Sequence, residues 1–183
     1  MNKKIIDYQK LYQLTSAVTP LKNDCGVLCG SICCRAGDNQ SLGVYLFPGE
    51  ECMFTGREDW LQWELRDPAG DDFPRSWKSP VHFVRCTSPC PREKRPLSCR
   101  FFPLAPHLLR DGTLFLIHET LPVPYSCPLI EKKMSLQVEF IDTVALCWKE
   151  MLKDPRLLAL VKMDSQDREK EEIRPHIVWW GNM

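Results

Sequence analysis

Apolar positions along the 183-residue chain change their period from one region to the next. Ile5, Tyr8, Leu11 and Tyr12 recur at helical spacing within residues 3–14 and predict a short amphipathic helix against the core. Residues 41–47 read as a strand closed by Pro48-Gly49, and residues 58–66, with Trp60, Leu61, Trp63 and Leu65, as an extended segment. Val81 to Arg85 predicts a short strand running into Cys86. Two apolar runs flank Asp111-Gly112 within residues 108–117, the pattern of a hairpin with a two-residue turn. From Met134 to Leu152 the period is helical, through Phe140, Ile141, Val144, Trp148 and Met151. Asp154-Pro155 stops that helix and starts another, with Asp154 as N-cap and Pro155 in the first position. Leu157, Leu158, Leu160 and Val161 form its apolar face. The charge run over 164–172 is expected to be solvated, and the apolar tail 177–180 to dock or to meet a partner.

The stretch between these elements is unusual. Fifteen prolines stand against nine glycines, concentrated between Pro68 and Pro128, so turns and short extended pieces are expected there. The fold expected is α+β: a small, irregular, metal-stabilised domain of short strands and loops with an N-terminal helix and a C-terminal helical pair over 134–165. Residues 1–183 are expected to form one domain with its core at 20–130. A net charge of zero gives no phosphate-neutralising surface, so no nucleic-acid partner is expected. No apolar run approaches the ~20 residues of a membrane span, and the opening residues carry no signal-type apolar run, so no membrane partner and a cytoplasmic location are expected.

Ten cysteines change the picture. Cys25, Cys29, Cys33 and Cys34 fall inside ten residues, C-x3-C-x3-C-C. In a reducing compartment such a cluster points to metal binding or catalysis before disulfides. Asp24 is a candidate N-cap for a helical turn at Cys25; if the turn continued, Cys25, Cys29 and Cys33 would share one face. Gly26 and Gly30 argue for a short turn, either as loop glycines or to bring backbone amides toward a bound centre. Cys86 and Cys90 repeat the x3 spacing, and Cys99 and Cys127 follow in proline-rich contexts. Cys147 lies on an apolar helical stretch and reads as a small buried hydrophobe, and Cys52 has no cysteine neighbour. Eight candidate ligands remain, in two sequence groups of four. Thiolates suit zinc or an iron–sulfur cluster, of which 4Fe–4S is the first expectation. Adjacent Cys33 and Cys34 are expected to diverge, which argues against one simple zinc knuckle. Arg35, Arg85, Arg92, Arg95 and Arg100 flank the cysteines; most read as surface ion pairs, with Arg100, beside Cys99, the candidate for offsetting thiolate charge.

C-x3-C-x3-C-C followed by C-x3-C and Arg95-Pro96-Leu-Ser-Cys99-Arg100-Phe-Phe-Pro103 resembles the CxxCxxCC cysteine-cluster proteins, the YkgJ-type family of zinc- or iron-chelating domains. The resemblance covers residues 20–130. It implies that Cys25, Cys29, Cys33, Cys34, Cys86, Cys90, Cys99 and Cys127 fill the family's cysteine places. The flagellin lysine N-methylases are similar in having such a cluster. Three readings follow: a module that binds metal or transfers electrons; a structural-zinc domain that meets a protein through Trp179-Trp180; and a cluster-containing enzyme, such as one resembling the lysine methyltransferases. His82, His107, His118 and His176 lie in no catalytic motif, and the acidic pairs Glu50-Glu51 and Asp71-Asp72 read as solvated.

Overall fold

The computed structural model describes residues 6–34, 43–70, 73–88 and 90–183. The expectations at Ile5, Arg35 and Asp71-Asp72 lie outside them. The fold is mixed α+β, with two small antiparallel sheets and six α-helices among the described residues.

Helix α1 (Tyr8–Leu14) starts where Asp7 accepts a hydrogen bond from the Lys10 N–H, and it buries Tyr8, Leu11 and Tyr12. The first sheet has the order β1-β3-β2, from β1 (Val44–Tyr45), β2 (Leu61–Arg66) and β3 (Val81–Cys86). Of the strand expected over 41–47, residues 41–42 lie outside the described residues and Val44–Tyr45 form the strand among the rest; Leu61 pairs with Cys86 at the far end of the sheet. A one-turn helix α2 (Gly26–Cys29) precedes this sheet, and a short helix α3 (Leu97–Phe101) follows it.

The second sheet has the order β4-β5-β6, from β4 (Leu104–Leu108), β5 (Thr113–His118) and β6 (Ile177–Asn182). β4 and β5 form the predicted hairpin, but β4 ends at Leu108 and β5 starts at Thr113, so four residues rather than two make the connection. Gly112, at φ 90°, closes it by donating to the Leu109 carbonyl. The apolar tail docks as the edge strand β6 on β5.

A single turn α4 (Pro128–Glu131) leads to α5 (Val138–Met151) and α6 (Pro155–Lys170). Residues 134–137 are not helical as expected. Gln137 is extended, its N–H donates to the Pro20 carbonyl, and its side-chain amide donates to the carbonyls of Thr19 and Leu21. Those three bonds tie the segment entering the first cysteine cluster to the start of α5.

The charge run over 164–172 is mostly the last part of α6, and it is not uniformly solvated. Ser165 and Arg168 are buried. Ser165 Oγ accepts from the Leu108 N–H, and Arg168 donates to the Pro106 carbonyl and to Thr120 Oγ1. α6 thereby covers the edge of β4, where Pro106 can sit because an edge position needs no ladder donor. The main core gathers Leu11, Leu97, Phe101, Leu114, Phe140, Val144, Trp148, Met151 and Leu157 from both ends of the chain. Each large side chain of this kind contributes about 1.5–3 kcal/mol by leaving water.

One expectation fails inside this core. Glu50 is fully buried. Gly49 adopts φ 96°, a conformation open to glycine, and turns Glu50 inward at the start of a 3-10 turn over Glu50–Met53. The carboxylate accepts from the Tyr12 hydroxyl (2.8 Å), the Phe47 N–H (2.9 Å) and the Leu97 N–H (2.7 Å). Burial pushes the Glu50 carboxyl up, and these donors pull it back. Glu51, by contrast, is partly exposed and accepts from the Gly49 N–H.

Two outcomes test this packing. Glu50→Ala strands three donors at a cost of about 1–3 kcal/mol each where buried, so urea unfolding should show a net loss of about 3 kcal/mol or more. Asp154 caps α6 through the Arg156 N–H and pairs with the Arg156 guanidinium, with only 2% of its side chain exposed. Burial pushes its carboxyl up, but the bonds from Arg156 outweigh that and hold it below the usual value. Its stabilisation is therefore complete above about pH 4 and is lost as pH falls through the folded value. The difference in urea midpoint between wild type and Asp154→Asn should be largest at neutral pH and shrink toward pH 3 and below.

Candidate metal centre

The first cysteine segment is built from two reversals. Asp24 Oδ1 accepts from the Gly26 N–H at 2.8 Å and so starts α2 as expected. Gly30 and Ser31 both have positive φ, 65° and 58°, which ends the helix after one turn. The Ser31 N–H returns to the Gly26 carbonyl, and a side chain on Gly26 would collide with the Ser31 hydroxyl. Cys25, Cys29 and Cys33 are therefore not stacked along one helix. A 3-10 turn over Ile32–Cys34 follows and brings Cys33 Sγ within 3.9 Å of Cys34 Sγ. The expected divergence of these two side chains is corrected here, because the tight turn points both sulfurs the same way. Two sulfurs on one tetrahedral metal with bonds of about 2.3 Å lie about 3.8 Å apart.

Cys86 closes β3; Cys86 and Cys90 both pack beside the small cluster of Leu46, Trp60, Leu61 and Val84. Cys99 is carried by α3, whose first N–H is held by Glu50. Cys127 is the buried N-cap residue of α4.

The thiols influence one another across the two sequence groups. The Cys34 and Cys86 thiols, with help from Arg95, draw Cys90 well below the ordinary thiol value against the effect of burial. Cys33 is likewise drawn down to about 7, chiefly by the Cys34 thiol. Cys34 and Cys86 are pushed up in turn, mainly because they hold the protons they donate. Cys25 rises to about 11 through burial and then the Asp24 charge. Cys99 rises to about 12 through burial and then the charges of Cys90 and Cys33. Cys127 is raised by burial and feels Cys29 and Cys33 rather than Cys86 or Cys90. Among the described residues no group of three or more His, Cys, Asp or Glu side chains stands ready to hold a metal ion.

The arginines divide differently from expectation. Arg100 donates to the carbonyls of Arg95, Tyr12 and Glu93 and to Thr15 Oγ1, and lies 4.3 Å over the Tyr12 ring. It clamps α1 to α3. Arg85 pairs with Glu64, and Arg92 with Asp24 and the Val18 carbonyl. Arg95 stands 3.7 Å from Asp24. Burial works against its charge, but the Cys90, Cys34 and Asp24 groups hold its pKa above the usual value. A cavity of about 30 Å³, room for one or two waters, lies between Arg95, Arg92, Arg100, Asp24, Cys25 and Cys99.

The other candidates lie outside this region. Cys147 is fully buried in α5 and Cys52 is exposed. His82 packs edge-on against Trp63, His107 is buried beside Phe115, and His118 meets His176 with their Nδ1 atoms 3.4 Å apart. Among the described residues none of the four histidines hydrogen-bonds a cysteine or a serine. Glu50, which orients α3 and hence Cys99, had one signal in the sequence: α3 begins at Pro96, which offers no side-chain cap for the Leu97 N–H.

The chain matches no protein-family model, no curated protein and no solved structure. The resemblance to the CxxCxxCC proteins accordingly rests on the cysteine, arginine and proline positions that carry it.

Exposure sorts the two unclustered thiols. In the native protein Cys52 should react rapidly with a thiol-specific disulfide reagent and Cys147 only on unfolding. Stopped-flow absorbance should show a fast-reacting thiol lost in Cys52→Ser, whereas Cys147→Ala should leave the fast phase of the native protein unchanged.

Proposed function

We propose that this chain is a metal-binding protein that holds zinc or an iron–sulfur cluster through Cys25, Cys29, Cys33, Cys34, Cys86, Cys90, Cys99 and Cys127, in metal handling or electron transfer. The observation that carries this reading is the approach of the Cys33 and Cys34 sulfurs to 3.9 Å, beside a small cavity lined by Cys25 and Cys99 from distant segments. Thiolates are the metal-binding form, and a metal takes the place of the protons that such a group shares. The resemblance to the zinc- or iron-chelating family supports the same chemistry.

The Cys33–Cys34 separation bears on which metal. At 3.9 Å it fits two sulfurs on one metal, as in a tetrathiolate zinc site or at an iron that takes two cysteines. A 4Fe–4S cluster takes one cysteine per iron and sets those sulfurs farther apart. The number of thiols and the guanidinium beside them favour the second reading, an iron–sulfur cluster whose negative charge Arg95 offsets.

Anaerobic purification followed by metal and acid-labile sulfide analysis tests the proposal. A colourless protein with stoichiometric zinc supports the zinc site; a brown one with iron and sulfide supports the cluster. Absence of both metals sinks the proposal. Cys99→Ser should lower the bound metal, whereas Cys147→Ala should leave it unchanged; equal loss from both would show that the cysteines are wrongly sorted.

A further inference from the structure

We propose that a cleft between the first sheet and the start of α6 binds a small zwitterion, an α-amino acid with an apolar side chain. The cleft encloses about 270 Å³ and no cysteine lines it, so this site is separate from the thiols. Its size falls just under the ~300 Å³ at which pockets for drug-sized ligands begin, which suits a molecule built on one ring or one branched chain.

The apolar wall is fixed before any ligand arrives. Leu46 and Phe47 follow β1, Val81 opens β3, and Trp77 comes from the segment between β2 and β3. Trp77 is held on two sides. Its Nε1–H donates to the Arg156 carbonyl at 3.0 Å, and its ring stacks on Phe73 with centroids 4.8 Å apart. Leu46, Trp77 and Val81 are buried in the core yet line the cleft. An apolar group that enters leaves water without having to order this wall.

The charges set the class of ligand. Glu51, Lys78 and Arg156 line the same cleft. Glu51 is held through Oε2, which accepts from the Gly49 N–H at 3.0 Å. Arg156 is held by the buried Asp154 carboxylate, which accepts from its Nε at 3.1 Å and its Nη2 at 2.7 Å. Among the described residues Glu51 Oε1, Lys78 Nζ and Arg156 Nη1 have no hydrogen-bond partner. Asp154 balances Arg156, and Glu51 balances Lys78, so these groups present both signs with no net charge. A simple anion would face the Glu51 carboxylate, and a simple cation would face Lys78 and Arg156; like charges brought together count against both. A zwitterion answers each sign. The α-carboxylate accepts from Arg156 Nη1 and Lys78, the α-ammonium donates to Glu51, and the side chain lies against Trp77 and Phe47.

Isothermal titration calorimetry on the full-length protein as purified tests this, with L-phenylalanine and L-leucine as probes. At least one should bind saturably at a single site with a Kd below about 1 mM. Three analogues each lack one part of the phenylalanine probe: 3-phenylpropionate the ammonium, phenethylamine the carboxylate and glycine the apolar body. Each should bind about 10-fold or more weakly than the amino acid. Glu51→Gln keeps an oxygen for the Gly49 N–H, and Lys78→Gln changes an exposed side chain, so both variants should fold. Each should weaken binding of the amino acid by about 3–10-fold. No saturable binding of either amino acid would overturn the inference. So would 3-phenylpropionate or phenethylamine binding as tightly as phenylalanine, or wild-type affinity in both variants. None of these outcomes depends on which metal the cysteines hold.

Discussion

A carboxylate with no access to water holds three parts of this molecule in register. Glu50 receives a hydroxyl from α1, an N–H from Phe47 just beyond β1 and an N–H from the start of α3. Burying such a group is costly unless it is fully hydrogen-bonded, so the three segments must arrive together or not at all. Arg100 adds a second clamp between α1 and α3 by donating to carbonyls that helix ends leave open. Between these two contacts runs the short α3 backbone that carries Cys99 and leads back to Arg95.

The thiol region inherits its order from that frame. It has little regular structure of its own: a one-turn helix, a 3-10 turn and the end of a strand. Such pieces bury little apolar surface and cannot offset much conformational entropy. Gln137 supports the entry to the first cluster, the Trp60 and Val84 cluster supports Cys86 and Cys90, and Glu50 supports Cys99. A metal joining thiols from all of these segments would couple binding to the folding of the least regular part of the chain.

The long helices, the strands beside Asp111-Gly112 and the Asp154-Pro155 break were legible because each depends on local period, turn chemistry or capping. Cys147 was legible as a core residue for the same reason. Glu50 and Arg168 were not, because an isolated acidic pair or a charge run reads as solvated when its distant partners are unseen. Arg100 attracted attention by adjoining Cys99 in sequence, yet its donors go to the backbone carbonyls of Arg95, Tyr12 and Glu93 and to Thr15. The positive φ at Gly30 and Ser31 also altered the geometry expected of the first cluster.

By itself the sequence determined the α+β character of the chain, the residues able to donate sulfur and the places where helices start and stop, since these follow from side-chain chemistry and near-neighbour spacing. Tertiary structure alone decided that the Cys33 and Cys34 sulfurs turn toward each other and that Cys25 and Cys99 line one small cavity with Arg95. Those pairings depend on chain reversals and on buried polar contacts between segments up to about a hundred residues apart, and such contacts leave no periodic trace in the sequence.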